Sequence, residues 1–318
     1  MLGHSPAPRP GYHRSATMRF DLITIFPGFF AGFFEHGIVR RAQADGLVEI
    51  GIYDLRAFTH DRHRTVDDRP FGGGEGMVLK PEPLARAMET LGVQPRSAAP
   101  TVQPLFATPT ASGQDFSRAD TAPEETEALP PDRAKRPTVI LTSPQGRRFD
   151  QSIARELAQL DRIVLICGRY EGVDERINEL YCDMELSIGD YVLSGGELAA
   201  AIVLDATMRL IPGVLGNEAS GEFESFGAAD ASITTDIEGV PRSQHGSGGL
   251  LDYPHYTRPA EFAGLRAPEV LLNGDHQQIR RWRREQQLRK TLKNRPDLLE
   301  RAALTDEDRR ILAAIRNE

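Results

Sequence analysis

The amino-acid sequence predicts an α/β fold built on a mostly parallel sheet. Three short segments rich in apolar and β-branched residues predict buried strands: residues 20–26, 138–142 and 163–167. Between the second and third segments, apolar residues recur at helical spacing, so that strands and helices alternate along the chain. This alternation is typical of parallel sheets, because neighbouring parallel strands need a crossover connection.

Two helices are predicted in the N-terminal third of the chain. The first strand stops at the Pro27-Gly28 turn, and a helix over residues 33–44 is expected to follow it and to end at Gly46. A second helix is indicated by apolar residues at helical spacing: Leu84, Met88 and Leu91.

Further helices are predicted in the second half of the chain. One joins the strands 138–142 and 163–167, and its apolar face holds Ile153, Leu157 and Leu160. Residues 197–210 predict an apolar helix, and residues 268–318 are helical in character. Within that last segment, residues 305–308 are typical of an acidic capping box, which predicts the start of a final helix.

Segments poor in large apolar residues divide the chain, because they cannot repay the entropy cost of ordering themselves. These segments are residues 97–137 and 227–249. Residues 1–17, ahead of Met18, are interpreted as a disordered extension or an upstream start. We therefore predict a disordered extension (1–17), an α/β domain (18–222) with an insert at about 97–137, a flexible interdomain linker with a second insert (223–249), and a helical, basic domain (250–318).

The charge is unevenly distributed. The 318 residues carry a formal net charge of −8, which argues against general adhesion to nucleic acid. Residues 279–301 are the exception, with nine Lys and Arg against three Asp and Glu. Such a run is usually a solvated helix face, and its functional alternative is a surface that binds phosphates.

Several classes of protein are excluded by composition. The longest apolar run, residues 198–204, is far shorter than the ~18 residues that a membrane span needs. Residues 1–17 lack the apolar core of a secretory signal. The two cysteines, Cys167 and Cys182, are too few for a disulfide framework and too far apart for a C-x-x-C pair. We therefore expect a cytoplasmic protein.

Three glycine-rich segments are candidate ligand loops: residues 71–77, 167–176 and 187–197. Glycine permits positive φ and a close approach of the main chain to a ligand. None of the three matches a dinucleotide or P-loop fingerprint. A single glycine loop is more often a tight turn, but ligands bind at the carboxyl ends of parallel strands, where two of these loops are expected.

Residues 58–69 form a dense cluster of charges. A zinc ion at His60 and His63 would need a third ligand, and the neighbouring Arg62 and Arg64 disfavour a cation there. Arginines that alternate with acids suit a segment that binds a phosphate backbone and presents a carboxylate to a base edge. A surface loop with salt bridges is the structural alternative.

Taken together, these motifs resemble the TrmD family of bacterial tRNA (guanine-N1)-methyltransferases. Six segments carry the resemblance in the family's order: residues 59–77, 143–146, 167–172, 187–197, 212–216 and 253–259. The similarity extends from Met18 to the C-terminus, apart from the two low-complexity inserts.

The resemblance implies a SPOUT-type α/β domain with a deep trefoil knot in its parallel sheet, followed by a small helical C-terminal domain. It also implies S-adenosylmethionine as methyl donor, tRNA as substrate and a homodimer with active sites between the subunits. The methylated atom would be N1 of the guanine immediately 3′ of the anticodon. A divalent cation, Mg²⁺, near Glu171 is a further implication, although no spacing of metal ligands supports it.

The resemblance also assigns site residues. The cofactor pocket would consist of Pro144, Gly168, Tyr170, Glu171, Ile188, Gly189, Tyr191, Leu193, Gly195 and Gly196. Asp67 would read the neighbouring guanine, and Arg64, Arg281 and Arg284 would contact tRNA. Arg209 would donate a hydrogen bond to the target base, with a structural ion pair as its alternative.

The general base departs from the family pattern. The family has an aspartate shortly after the segment that corresponds to residues 212–216, and alignment puts Glu224 at its position. Because guanine N1 is a weak acid, a carboxylate within hydrogen-bond reach would assist methyl transfer. Glu222 and Asp230 are the alternative bases.

Two other functions fit parts of this pattern. A non-catalytic RNA-binding protein would use the basic segment and keep the glycine loops as turns, but it would not need residues 143–146 together with both later loops. Another SPOUT methyltransferase, acting on a ribose or a different base, would not need a proton-accepting carboxylate at Glu224.

Overall fold

Five parallel strands form the sheet of the N-terminal part of the chain. The computed structural model describes residues 17–96, 136–216, 224–227 and 247–318. The five strands are β1 (Met18–Thr24), β2 (Val48–Asp54), β5 (Thr138–Arg148), β6 (Arg162–Cys167) and β7 (Met184–Ser187). Their order in the sheet is β2-β1-β6-β5-β7, and all four pairings are parallel. The predicted parallel sheet is therefore confirmed.

Helices and short strands connect the five strands of the sheet. The helices are α1 (Ala31–Phe34), α2 (Gly37–Ala44), α3 (Pro81–Thr90), α4 (Gln151–Leu157), α5 (Glu175–Tyr181) and α6 (Glu197–Met208). Two-residue strands β3 (Asp67–Asp68) and β4 (Val78–Leu79) pair with each other outside the main sheet. Short 3-10 helices cover Pro27–Phe30 and Leu55–Phe58.

Both faces of the sheet are buried, as the apolar strands require. One face packs Phe20, Leu165 and Met208 with the helices α2, α4 and α6. The other packs Ile166 and Met88 with α3 and α5. Because helices cover both faces, the strands are shielded from solvent and the accessible part of the sheet is the ends of its strands.

Several predicted elements differ from the structure in their limits. The single helix over residues 33–44 is wrong: two helices form instead, because His36 is extended and Gly37 has a φ of +61°. The first strand covers Met18–Thr24, since Pro27 opens a 3-10 helix just after it. Strands β2 and β7 and helix α5 were not predicted at all. The helix predicted over residues 197–210 is Glu197–Met208.

The chain divides into two compact units, Met1–Val214 and Leu215–Glu318. The second unit contains the basic helix (His276–Asn294), a short helix (Asp297–Arg301) and the C-terminal helix (Asp306–Arg316), which begins with the predicted capping box at Thr305. A small hairpin pairs Glu261–Phe262 with Leu265–Arg266, and a 3-10 helix covers Glu269–Leu271. Leu250, Leu288 and Leu312 form the core of this unit.

Part of the predicted organisation lies outside the described residues. This applies to residues 1–16 of the extension, residues 97–135 of the insert, and most of the linker, with the alternative bases Glu222 and Asp230. In the part of the chain that the structure describes, every helix is too short or too polar to cross a membrane.

Candidate functional site

A cavity of about 460 Å³ opens at the carboxyl ends of three neighbouring strands, β6, β5 and β7. Its size lies within the usual range of small-molecule sites. All ten residues predicted for the cofactor pocket line it: Pro144, Gly168, Tyr170, Glu171, Ile188, Gly189, Tyr191, Leu193, Gly195 and Gly196. The structure therefore brings three separate segments of the sequence together around one cavity.

The first wall of the cavity is a bulge in β5. Residues 143–146 leave the ladder, because Thr142 and Arg147 both pair with Leu186 of β7. The chain rejoins the sheet at Gly146, which lies very close to β7. A Cβ on Gly146 would be 2.5 Å from the main-chain carbonyl carbon of Glu185. A glycine is therefore required for the bulge to form and for Pro144 to reach the cavity.

The second wall follows β6. Gly168 lies so close to β5 that a Cβ would be 2.9 Å from the carbonyl oxygen of Thr142. Tyr170 has a φ of +58°, which is uncommon for a residue with a side chain and re-aims the loop. The Glu171 amide donates to the carbonyl of Met77 at 3.0 Å, which ties this wall to the end of the first glycine-rich segment.

The third wall is the loop after β7, which is hydrogen-bonded to the second wall. The Ser187 hydroxyl donates to the carbonyl of Gly189 at 3.0 Å. The Gly196 amide donates to the carbonyl of Gly168 at 2.8 Å, and a Cβ on Gly196 would lie 2.1 Å from the Thr142 hydroxyl oxygen. The lining includes Gly168, Gly189, Gly195 and Gly196, which leave the main chain accessible to a ligand that is recognised through N–H and C=O groups.

The charges on the cavity wall are predominantly negative. Glu171, Glu175 and Glu185 line it, whereas Arg169 is the single basic side chain among the described lining residues. Burial, with a smaller effect of the nearby Glu175, raises the pKa of Glu185 above its ordinary value. An acidic cavity of this kind favours a ligand that carries positive charge.

Cys167 ends β6 beside the cavity but is not suited to be a nucleophile. Its side chain is buried, and burial together with the Glu197 carboxylate raises its pKa well above the ordinary value of a thiol. Because the thiolate is the reactive form of cysteine, Cys167 stays a neutral core residue.

The first glycine-rich segment, residues 71–77, borders the cavity. A Cβ on Gly76 would lie 2.4 Å from the Glu171 carboxylate, so the glycine allows the two segments to touch. Leu79 continues the contact: it forms a β-bridge with Val173, and its amide donates to the carbonyl of Gly172 at 3.0 Å. The sequence did not indicate this proximity.

Asp67 and Arg64 lie in the charged segment before that loop. Asp67 is half-buried on β3, opposite Leu79 of β4. Arg64 is exposed and has a φ of +53°. The turn is held by Asp61, whose carboxylate accepts hydrogen bonds from the amides of His63 and Thr65. These contacts present Arg64 to solvent.

Arg209 and Glu224 do not line the cavity. Arg209 follows the last residue of α6, and its amide donates to the carbonyl of Asp205 at 3.2 Å. Burial raises the pKa of Asp205, and the positive charge of Arg209 opposes that rise. Glu224 belongs to the second unit, where its carbonyl accepts a hydrogen bond from the amide of Gly227 at 3.0 Å.

The two arginines predicted on the basic helix have different environments. Arg281 is exposed. Arg284 is largely buried and forms a bidentate ion pair with Asp308. The guanidinium of Arg284 is therefore engaged inside its own unit, so Arg281 is the better candidate for contact with a phosphate.

Sequence reasoning missed two charged residues beside the cavity, Arg169 and Glu197, although both lie within quoted motifs. Glu197 is buried at the start of α6 and pairs with Arg169. The available signal was a carboxylate at the first position of a helix, directly before the apolar residues 198–204. As for metals, no group of three or more His, Cys, Asp or Glu side chains in the described ranges is arranged to hold an ion.

Comparisons with known proteins agree with the resemblance seen in the motifs. The family model described as tRNA (Guanine-1)-methyltransferase TrmD matches residues 18–127 and 121–301. A tRNA (guanine-N(1)-)-methyltransferase of Koribacter versatilis is 54% identical over 299 residues, which is 94% of this chain and 98% of that protein. Proteins of the same name from Geobacter metallireducens and Moorella thermoacetica are 43% and 44% identical, over 93% and 94% of this chain and 96% of each relative.

Proposed function

Because this chain belongs to the tRNA (guanine-N1)-methyltransferase family, we propose that it transfers a methyl group from S-adenosylmethionine to N1 of the guanine immediately 3′ of the anticodon in tRNA. The chain is thus an enzyme, a methyltransferase whose substrate is tRNA.

The observation that carries the proposal is the cavity at the carboxyl ends of β6, β5 and β7. Its walls fit S-adenosylmethionine in two respects. Glycine main chain offers hydrogen-bond partners to an adenine, and the carboxylates of Glu171, Glu175 and Glu185 suit a ligand with a sulfonium and an ammonium charge. When bound, S-adenosylmethionine supplies an electrophilic methyl group.

The chain's own residues would manage the proton and the charge on the base. Glu224 accepts the proton of guanine N1, which makes the nitrogen a better nucleophile. Arg209 donates a hydrogen bond to the base oxygen and stabilises the negative charge that develops there. The resemblance, not the geometry, assigns both roles.

The tRNA would be bound by residues of both units. Asp67 reads the neighbouring guanine, and Arg64 contacts a phosphate from an exposed turn. Arg281 extends the contact from the basic helix. Because most enzymes that modify a base take it out of the stack, we expect the target guanine to leave the helix before reaction.

The surface of α6 supports a homodimer. Residues 198–204 of this helix are all apolar, and Leu198 and Ile202 are 49% and 45% exposed, one helical turn apart. Val192, in the loop before the helix, is 83% exposed. An exposed apolar strip of this kind is typical of a surface that a second copy covers.

Other parts of the proposal rest on the resemblance. They are the deep trefoil knot, the active site between subunits, and the division into an α/β methyltransferase domain and a tRNA-binding C-terminal domain. The reaction would take place in the cytoplasm, in keeping with two buried, unpaired cysteines. For Mg²⁺ near Glu171, no group of three or more His, Cys, Asp or Glu side chains among the described residues is arranged to hold the ion.

The test is an assay of the purified protein with unmodified tRNA that has guanine 3′ of the anticodon, labelled S-adenosylmethionine and nucleoside analysis. We expect 1-methylguanosine from the parent and a loss of about 10²–10⁴-fold in kcat for Glu224→Gln, the usual contribution of a general base. Equal rates would move the role of base to Glu222 or Asp230. A folded protein that binds the donor but modifies no guanine N1 would overturn the proposal, and a different labelled nucleoside would indicate another methyltransferase activity.

A further inference from the structure

We propose that Glu197 is a positioning residue of the cofactor cavity, which acts by holding Arg169 in the cavity wall. The inference rests on the proposed function, because its readout is binding of S-adenosylmethionine. Glu197 does not line the cavity, and Arg169 does.

The Glu197 carboxylate is fixed on one side by the end of β1. Glu197 is 3% exposed, and its Oε1 accepts a hydrogen bond from the buried Thr24 hydroxyl at 2.8 Å. The Thr24 oxygen in turn accepts from the amide of Phe26 at 2.9 Å. A carboxylate held in this way has one oxygen committed to the sheet and the other aimed at its second partner.

That second partner is Arg169. Its Nη1 lies 3.5 Å from Glu197 Oε2, and its guanidinium carbon lies 4.6 Å from the centre of the Phe26 ring. Arg169 is thus held between a carboxylate and an aromatic face, and each contact favours its positive charge. The Thr24 hydroxyl joins the main-chain amide of Phe26 to the Glu197 carboxylate, so the four residues form one connected unit.

The ion pair lies directly over the junction of two cavity walls. Arg169 and Gly195 form an antiparallel β-bridge. A Cβ on Gly195 would lie 2.3 Å from Arg169 Nη1 and 2.4 Å from Glu197 Oε2, so the pair occupies the space that a side chain would need. Movement of the pair would therefore shift the loop after β6 against the loop after β7, and with them the cavity.

The negative charge is the part of Glu197 that performs this role. In Glu197→Gln the side-chain amide oxygen can still accept from Thr24, but the attraction for Arg169 is lost. A buried charge whose partner is removed is unfavourable, so Arg169 is expected to leave its position. The result is a changed cofactor cavity in a folded protein.

The experiment compares Glu197→Gln with the parent in three measurements: calorimetric titration with S-adenosylmethionine, steady-state kinetics and thermal unfolding. We expect Kd and KM for S-adenosylmethionine to rise about tenfold, within the range of coupling between contacting residues, while KM for tRNA changes less than about twofold. A general loss of structure would instead raise both KM values or remove the folded state.

A double-mutant cycle with Arg169→Met distinguishes the effect of the Glu197–Arg169 ion pair from the effect of changed packing. If the two residues act as a pair, Glu197→Gln/Arg169→Met is no worse than the poorer single variant, because the double variant leaves no unpaired charge. Arg169→Lys keeps the positive charge, so it should bind S-adenosylmethionine more tightly than Arg169→Met. If Glu197→Gln does not fold, the affinities of Arg169→Met and Arg169→Lys for S-adenosylmethionine test the ion pair from its other partner.

Glu49→Gln is the control for loss of an ion-paired carboxylate at an exposed position. Glu49 pairs with Arg19 at 2.8 Å in the same unit, outside the cavity, and its replacement should leave Kd for S-adenosylmethionine unchanged. A parent protein that does not bind S-adenosylmethionine would overturn the proposed function. A parent that binds it, with Glu197→Gln binding equally well, would overturn the role of Glu197 alone.

Discussion

Arg284 and Asp308 form a bidentate ion pair within the second unit, with Nε to Oδ1 at 2.7 Å and Nη2 to Oδ2 at 2.9 Å. The Asp308 carboxylate also accepts from the amide of Thr305 at 2.9 Å, which completes the capping box. One carboxylate thus joins the basic helix to the start of the C-terminal helix.

Removal of this carboxylate should destabilise the second unit. Asp308 and Arg284 are both largely buried, and loss of one partner of such a pair costs about 3–5 kcal/mol. We therefore expect Asp308→Ala to lower the free energy of unfolding by an amount of this order. Urea unfolding followed by fluorescence of Trp282, the chain's one tryptophan, which lies on the basic helix, measures it. Glu269→Gln, which removes an exposed pair with Arg266, should have little effect.

The contribution of Asp308 should depend on pH in a defined direction. Burial by itself would raise the pKa of Asp308, but hydrogen bonds from Arg284 and Thr305 and the arginine's charge hold it below its ordinary value of 3.8. A carboxyl with a lowered folded-state pKa contributes stability above the unfolded pKa and loses it as pH falls through the folded pKa. The stability difference between the parent and Asp308→Asn should therefore be constant near neutral pH and shrink below about pH 4. A difference that persists unchanged at pH 2 would contradict this assignment.

The cavity should not tolerate a side chain at Gly196. A Cβ there would lie 2.1 Å from the Thr142 hydroxyl oxygen and 2.8 Å from the Gly168 amide nitrogen. Overpacking of a fitted interior costs about 1–3 kcal/mol, so we expect Gly196→Ala to weaken S-adenosylmethionine binding by at least ~10-fold in calorimetric titration. Gly32→Ala is the control, because no atom outside its own helix and chain neighbours lies within 4 Å of the position of its Cβ. Unchanged binding by Gly196→Ala would contradict the described junction of the two loops.

Binding of tRNA should weaken with salt, and Arg281 should account for part of that dependence. Arg281 is exposed on the basic helix, so its guanidinium is accessible to a phosphate. Loss of one phosphate contact lowers the slope of log affinity against log salt by about 0.7–0.9. We expect this change for Arg281→Ala in filter binding over a salt series, and a smaller one for Arg316→Ala, an exposed arginine outside the basic helix. Salt-independent binding of tRNA by the parent would contradict a phosphate-binding role for this surface.

The elements that could be predicted are those with a long or unbroken local pattern. Residues 138–142 of β5 and residues 163–167 of β6 are unbroken runs of apolar and β-branched residues, and α3 repeats its apolar residues at helical spacing. Strand β2 lies at the sheet edge and was missed, although the alternation of Val48, Ile50 and Ile52 with other residues was an available signal of a half-buried strand. Strand β7 has four residues, too few for a periodic signal.

The three central strands of the sheet, the glycine-rich segments and the motifs that resemble the family could be predicted from the sequence, because each is a property of neighbouring residues. In contrast, the set of loops that forms the cavity and the partners of the buried charges depend on how distant segments pack together. Glu197 pairs with Arg169 across 28 residues and with Thr24 across 173, and Arg284 meets Asp308 across 24. No local pattern encodes these partners: the order of strands in the sheet and the packing of helices bring them within hydrogen-bond distance, where burial makes each charge depend on its partner.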